Sequence, residues 1–546
     1  MRALKASEDA PDALDSRVLW LFYGLALLLA LVPIFVTTLP PLVDLPNHLA
    51  RIYILNHLDT DPALQKYYGV HWHLLGFQSL DILLPPLARW FGLFAAARIY
   101  IAISLILVLG GSMALHRALF GRIGLFPLAS TLFLYNLLLA WGFVSYLFSV
   151  GVALLMLAGW FGSEGRSRLL RVSVFSVATL LLLVCHFFTF AAYAVLIGTY
   201  ELSRIWHDPR RDLRRGLAQL VEGGLPFVLP CILVVAAYVP QTVSFTKYGS
   251  FPDVARAVVS PTVMYMTWPD LVVTYAVVFG LWFCWRRRLL RLSKRMRWPL
   301  LAMAVTGAFM PIWLFSVWGA SYRIPSLIAF LAVSTIDLQF KNRRQIALFV
   351  SIVLGLLLLR VTTTIQVWHD YQANFLEFLA ATAKIDAGSR VLALPVPDND
   401  GTWPAPQIYP YSQLATLAVV ERDVLSPTLF KFATPLAIPQ LKRGLVDNLR
   451  DAKHPLDWRP TDPRFAAATP ATIREVETVG ESSLLRGSYF SPVDWSRWPE
   501  DYDYLIVFAF SRKENPVPAL LTPVAEGSFF TIYRIHPPET GKSEIQ

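Results

Sequence analysis

Residues Val18 to Arg51 read VLWLFYGLALLLALVPIFVTTLPPLVDLPNHLAR. The run Val18–Val36 is apolar throughout and long enough to cross a bilayer once as a helix. With almost no gap, PPLVDLPNHLAR (40–51) follows, bringing an acid, an amide, an imidazole and a guanidinium close together. A charge placed just past a membrane exit is costly unless it is paired or functional. Pro46 pre-sets a turn or a first helical position. If a helix starts there, Asn47 and Arg51 share one face, four residues apart, with His48 one step round. Asp44 then stands at the helix mouth, beside backbone N–H groups that lack intrahelical partners. Two readings follow for Asp44: an ordinary helix cap, or an acid presented for chemistry.

The rest of the chain extends the membrane reading. Of its 546 residues 55% are hydrophobic and only 16% are charged, with a mean hydropathy of +0.49; a soluble chain runs near 25% charged. Apolar stretches of roughly 20 residues recur, as in a multi-pass helical membrane protein. The formal charge of +10 gathers in short loops between apolar runs, where membrane topology accounts for it without a nucleic-acid partner. Cys185, Cys231 and Cys284 lie in or beside apolar runs, without metal-ligand spacing. The N-terminal MRALKASEDAPDALDSR is acidic as well as basic, and the run after it has no small-residue cleavage site, so it reads as uncleaved.

Eleven membrane helices are predicted, at about Val18–Val36, Ala97–Leu115, Leu125–Leu139, Leu147–Trp160, Val172–Val184, Phe190–Leu202, Leu220–Tyr238, Leu271–Trp285, Trp298–Val317, Pro325–Ile336 and Ile346–Val361. The apolar run 172–203 is long for one crossing and short for two, and is split near His186. Basic clusters follow helices two, four, six, eight and ten, the strongest being RRRLLRLSKRMR (286–297). That alternation predicts a cytoplasmic N-terminus and puts the first loop, the 239–270 loop and the C-terminal part on the outer side. Within the first loop (37–96), LPNHLARIYILNHL and SLDILLPPLARWFGL read as short amphipathic helices, the second broken at Pro85–Pro86; both are too short to span and suit the membrane surface.

A transmembrane module is thus expected over 1–365 and a soluble outer domain over 366–546. In the latter, RVLALPV (390–396), DYLIVFAF (503–510) and FFTIYRI (529–535) read as strands, and 372–386 and 435–450 as helices, of a small α/β domain. The loop 395–414 carries Trp403, Tyr409 and Tyr411, suited to stacking on a sugar or lining the membrane interface.

Three polar places share the predicted outer side: the first loop, the 239–270 loop, and a short link bearing Tyr322 and Arg323 just before a predicted helix. Arg323 reads either as a snorkelling side chain or as a clamp for an anionic phosphate. A carboxylate working with such a clamp suits transfer from a phosphate-activated donor: Asp44, the preferred acid, takes the proton of the acceptor hydroxyl or orients it, and the arginine steadies the leaving phosphate. Asp81 is the runner-up acid, on an amphipathic piece where a polar-face residue needs no function. His71 and His73 form only a weak metal pair, the other histidines are scattered, and Asp337 reads as an ordinary inside flank. No phosphate-binding glycine loop or dinucleotide fingerprint occurs.

The layout and the PxxDxPNHxAR pattern resemble bacterial membrane glycosyltransferases of the GT-C superfamily. The resemblance implies a polyprenyl-phosphate sugar donor, a membrane lipid or glycan acceptor, inversion at the sugar, and a site on the outer face of the cytoplasmic membrane with a periplasmic C-terminal domain. It implies a catalytic role for Asp44, with Asn47, His48 and Arg51 as neighbours, Asp81 in the place of a second acid, and Tyr322 and Arg323 toward the lipid phosphate. No metal constellation is legible, which leaves a divalent ion open. A transporter or flippase would instead show an internal repeat and ionisable residues at mid-membrane; the predicted helices contain almost none of the latter and show no matching halves. A non-enzymatic envelope-assembly protein would leave Asp44, His48 and Arg51 without a role.

Overall fold

The computed structural model describes residues 15–71, 77–207, 212–236, 246–265, 267–315, 317–395, 410–429, 438–439, 498–508, 515 and 518–536. In chain order its helices are α1 (Ser16–Val36), α2 (Leu45–His57), α3 (Pro62–Tyr67), α4 (Ser79–Phe91), α5 (Leu93–Phe120), α6 (Leu137–Trp141), α7 (Val144–Gly162), α8 (Arg168–Cys185), α9 (Phe187–Trp206), α10 (Leu213–Ala236), α11 (Phe251–Val259), α12 (Trp268–Arg286), α13 (Arg297–Ala308), α14 (Ala320–Thr335) and α15 (Arg343–Thr382). They divide between two compact units. One comprises 1–37, 74–80 and 98–367; the other comprises 38–73, 81–97 and 368–546.

In the first unit the predicted runs lie mainly on helical elements, except that the ninth is helical only to Ala308 and then gives way to the paired strands Trp313–Leu314 and Val317–Trp318, and eleven crossings are not confirmed. Seven among the described residues are long and apolar enough to cross a membrane: α1, α5, α7, α8, α10, α12 and α15. The others fall short for local reasons. The third run is a 3-10 helix (Phe126–Phe133) followed by the five-residue α6. The last turns of α9 carry Glu201 and Arg204. Helices α13 and α14 have 12 and 16 residues. The 172–203 run does break at His186, which lies between α8 and α9 with extended backbone. Its buried ring meets Phe77 and Tyr146 edge-on at 4.5 and 5.1 Å. Helices α5 and α7 cross at glycines: a Cβ on Gly111 would lie 2.8 Å from the Gly151 carbonyl oxygen, the small-residue contact that lets membrane helices approach closely.

Two buried anchors in this unit involve acids. Asp270, in the first turn of α12, accepts from the backbone N–H groups of Met264 and Tyr265 at 3.0 and 2.8 Å and pairs with Arg360 of α15. Arg360, only 2% exposed, also donates to the Thr262 carbonyl. This ionisable pair within the helices was not legible in the sequence. Asp337, expected as an ordinary flank, is 3% exposed and accepts from Arg122 and Gln339.

In the second unit, strand Val391–Pro395 pairs in parallel with Tyr504–Phe508. That strand pairs antiparallel with Phe530–Ile535, and Leu521–Glu526 completes a four-stranded sheet. The three strands expected here are present. Leu392, Trp498, Leu505, Val507 and Tyr533 form a core on the sheet. Helix α15 continues unbroken to Thr382, so no loop marks the expected boundary near 366. The expected helix at 435–450 lies outside the described residues except for a two-residue strand at Ile438–Pro439.

Both amphipathic pieces of the first loop are helical, with two corrections. Helix α2 is not laid bare on a surface: Leu45, Leu49, Ile52 and Ile54 are buried. Helix α4 runs straight through Pro85 and Pro86. Each proline removes a ladder hydrogen bond, yet tertiary packing overrides such local preference; Asn56 donates to the Pro85 carbonyl at 3.2 Å. Trp90 and Phe91 of α4 stay exposed, at 85% and 59%.

Candidate active site

The PNHLAR stretch forms the first two turns of α2, and the helical repeat sorts its polar side chains by job. Asp44 occupies the N-cap position, with backbone already near helical geometry (φ −86°, ψ −8°), and makes no side-chain capping bond. Its half-buried carboxylate accepts instead from Gln413 Nε2, at 2.8 Å. Asn47 is fully buried and donates through Nδ2 to the Thr428 carbonyl at 2.8 Å. These contacts fasten the start of α2 to residues 410–429 within the same unit. Tyr68 adds another: its hydroxyl donates to the Val424 carbonyl at 2.9 Å and accepts from the Ser426 N–H.

One turn on, Arg51 is 3% exposed. Its Nε donates to Asp81 Oδ1 at 2.6 Å, and its Nη2 lies 3.2 Å from His48 Nδ1. A guanidinium has no acceptor, so His48 Nδ1 accepts and a neutral ring carries its proton on Nε2. Asp81 is therefore no solvent-facing residue of an amphipathic helix: it is 1% exposed. Burial raises its carboxyl above the ordinary 3.8, against the pull of Arg51. Its Oδ2 has no hydrogen-bond partner among the described residues. The residue also lines a cavity of about 390 Å³ with Asp59, Arg89, Leu55 and Pro85. A buried carboxylate oxygen at a cavity wall retains capacity for a donor from a ligand or water.

One nearby acid in this loop has structural work. Asp61 caps α3, accepting from Ala63 and Leu64 N–H at 2.7 and 3.3 Å. Tyr411, expected to stack on a sugar or line an interface, is instead core: it is 2% exposed, accepts from Asn374 Nδ2 at 2.6 Å and packs on Phe529 at 4.5 Å. Trp403, Tyr409 and His73 lie outside the described residues. Among the described residues no group of three or more His, Cys, Asp or Glu is placed to hold a metal ion.

In the first unit, Arg323 does not precede a helix but lies in the opening turns of α14, whose N-cap is Gly319 with φ +75°. Arg323 is 5% exposed, and its guanidinium carbon stands 4.5 Å from the ring centre of Phe143 and 4.8 Å from that of Phe188. Its Nη1 donates to the Trp318 carbonyl at 2.8 Å, while Tyr146 hydroxyl donates to the Arg323 carbonyl at 2.6 Å. A cation so enclosed by aromatic faces keeps its charge and its plane. Tyr322 beside it is 2% exposed and packs on Trp318 at 5.5 Å.

Sequence reading found Asp44, Asn47, His48 and Arg51 as a group and missed Gln413, whose contact spans 369 positions; no local pattern signals such a partner.

No protein-family model matches the chain, and no curated protein does. Among solved structures, the chain is similar to ArnT from Cupriavidus metallidurans bound to undecaprenyl phosphate, at 12% identity and TM-score 0.48, covering 95% of this chain and 98% of that one. The apo form of that protein matches at 15% identity and TM-score 0.43. Arabinofuranosyltransferase AftD from Mycobacteria matches at 16% identity and TM-score 0.44, over 97% of this chain but only 40% of AftD. With every TM-score below 0.5, none of these likenesses assigns a family or a reaction.

Proposed function

We propose that this protein is a membrane glycosyltransferase of the GT-C kind. It moves a sugar from a polyprenyl-phosphate donor to a hydroxyl of a membrane lipid or glycan. The reading places the reaction at the outer face of a bacterial cytoplasmic membrane, with the N-terminus inside and the C-terminal sheet domain in the periplasm. The observation that supports it most is at Asp44. An acid in the N-cap position normally spends its side chain on the first N–H groups of the helix. Asp44 does not, and a glutamine amide holds its half-buried carboxylate instead.

In the proposed reaction the acceptor oxygen attacks the anomeric carbon as the bond from that carbon to the phosphate oxygen breaks. The hydroxyl proton passes to the Asp44 carboxylate, and the electron pair leaves with the polyprenyl phosphate. Backside attack inverts the anomeric carbon. Asn47, His48, Arg51 and Asp81 hold the substrates' polar groups or the helix that presents them. Tyr322 and Arg323 are assigned to the donor phosphate, whose growing charge a buried guanidinium stabilises.

Asp44→Asn is expected to lower transfer about 10²-fold or more, the scale of a lost general base, with unchanged thermal unfolding in detergent. Purified protein and a polyprenyl-phosphate sugar supply the assay. A wild-type rate in that variant would remove Asp44 from the chemistry. Arg323→Lys should weaken donor binding while keeping the charge, because an ammonium cannot reproduce the planar fork.

A further inference from the structure

A second cavity, of about 380 Å³, lies in the first unit where α1 and α15 begin and α5 ends. Its polar lining consists of Ser16, Arg117, Arg122 and Gln339, without a carboxylate; Leu19, Trp20, Phe340 and Ile346 supply an apolar side. Trp20 is 56% exposed and Leu21 beside it 66%, as expected where a helix surface meets lipid near the headgroup level.

The basic groups differ in how they are held. Arg122 donates through Nη2 to both oxygens of Asp337, at 3.1 and 2.9 Å. Gln339 Nε2 donates to the same carboxylate at 2.7 Å, and His116 Nε2 stands 3.6 Å away. Gly124 leaves room for that assembly: a Cβ there would lie 2.5 Å from His116 Nε2. Tyr23 hydroxyl donates to the Gly124 carbonyl at 2.7 Å, tying α1 to the cavity wall. Arg117 is exposed, and its guanidinium has no hydrogen-bond or ion-pair partner among the described residues. Two guanidinium groups, those of Arg117 and Arg122, thus stand at the cavity, and only Arg122 is engaged by the Asp337 carboxylate.

We infer that this cavity binds the phosphodiester headgroup of an anionic membrane phospholipid, with Arg117 as the charged contact and Arg122 and Gln339 as its fixed wall. A phosphodiester is anionic and offers oxygens to the Arg117 guanidinium, which Asp337 does not engage. Guanidinium forks suit phosphate oxygens. The apolar side and the exposed Trp20 and Leu21 fit a ligand whose tail remains in the bilayer. Basic pockets between membrane helices bind lipid headgroups in this manner.

The test uses the full chain in a neutral detergent, with retention of added lipid followed by native mass spectrometry. Phosphatidylglycerol should be retained over phosphatidylcholine, and Arg117→Ala should weaken that retention roughly tenfold while thermal unfolding stays at wild type, since the Arg117 guanidinium has no hydrogen-bond or ion-pair partner among the described residues. Arg117→Lys should recover part of the loss. Equal retention of both lipids, or of phosphatidylglycerol by wild type and Arg117→Ala, would overturn the site. Competition by soluble glycerophosphoglycerol as strong as by the lipid would overturn the lipid as its source.

Discussion

Each compact unit holds a buried arginine–aspartate pair, and the two are built to different ends. In the first unit, Asp270 spends its carboxylate fully: Oδ2 accepts from the N–H groups of Met264 and Tyr265, and Oδ1 takes Arg360, which also reaches the Thr262 carbonyl. In the second, Asp81 gives one oxygen to Arg51, its other oxygen has no hydrogen-bond partner among the described residues, and the residue lines a cavity. A carboxylate with both oxygens bonded fastens helices together. One with an unbonded oxygen stores desolvation cost and has room for another polar group. The first arrangement is structural. The second lies one helical turn from the motif that carries Asp44.

The largest contrast should come from removing the acids. Asp270→Ala strands a buried Arg360 and is expected to cost about 3–5 kcal/mol, read by chemical unfolding of the detergent-solubilised protein. A loss no greater than that of a surface substitution would show that the pair does not fasten α12 to α15. Asp81→Asn should cost less, about 1–2 kcal/mol, since it also relieves a carboxylate oxygen that has no hydrogen-bond partner among the described residues.

The same variant has a pH signature. Burial raises the Asp81 carboxyl above 3.8, so the folded protein holds this proton to higher pH than the unfolded chain does. The group's contribution is complete below 3.8 and falls as pH rises through the raised value. Melting temperature recorded from about pH 4 upward should therefore decline in wild type and lose that part of its slope in Asp81→Asn. Identical slopes would mean that Asp81 titrates normally. The smallest effect is expected of Arg51→Lys, which keeps the charge beside Asp81 but cannot also reach His48 in a fork. It should cost about 0.5–1.5 kcal/mol, the worth of one hydrogen bond.

How much was legible follows the range of the interactions. The apolar runs, the break at His186 and the three main strands were readable because each depends on neighbours a few residues away. The grouping of Asp44, Asn47, His48 and Arg51 was readable too, through helical spacing alone. The path of α4 through Pro85 and Pro86 was not, because packing there outweighs a local rule. Tyr411 was taken for a surface aromatic because composition marks a loop but cannot tell which of its rings turns inward.

By itself, then, the sequence determined a helical membrane chain and an acid poised at the mouth of the first loop helix. These follow from hydrophobic length and from a 3.6-residue period, both properties of short segments. Only the tertiary structure decided that Asp44 is held by Gln413 rather than by its own helix, that Asp81 is buried against Arg51, and that Arg360 meets Asp270. Those contacts join residues 369, 30 and 90 positions apart. Their existence depends on how buried charges find partners once the chain has collapsed, and a local pattern carries no record of that choice.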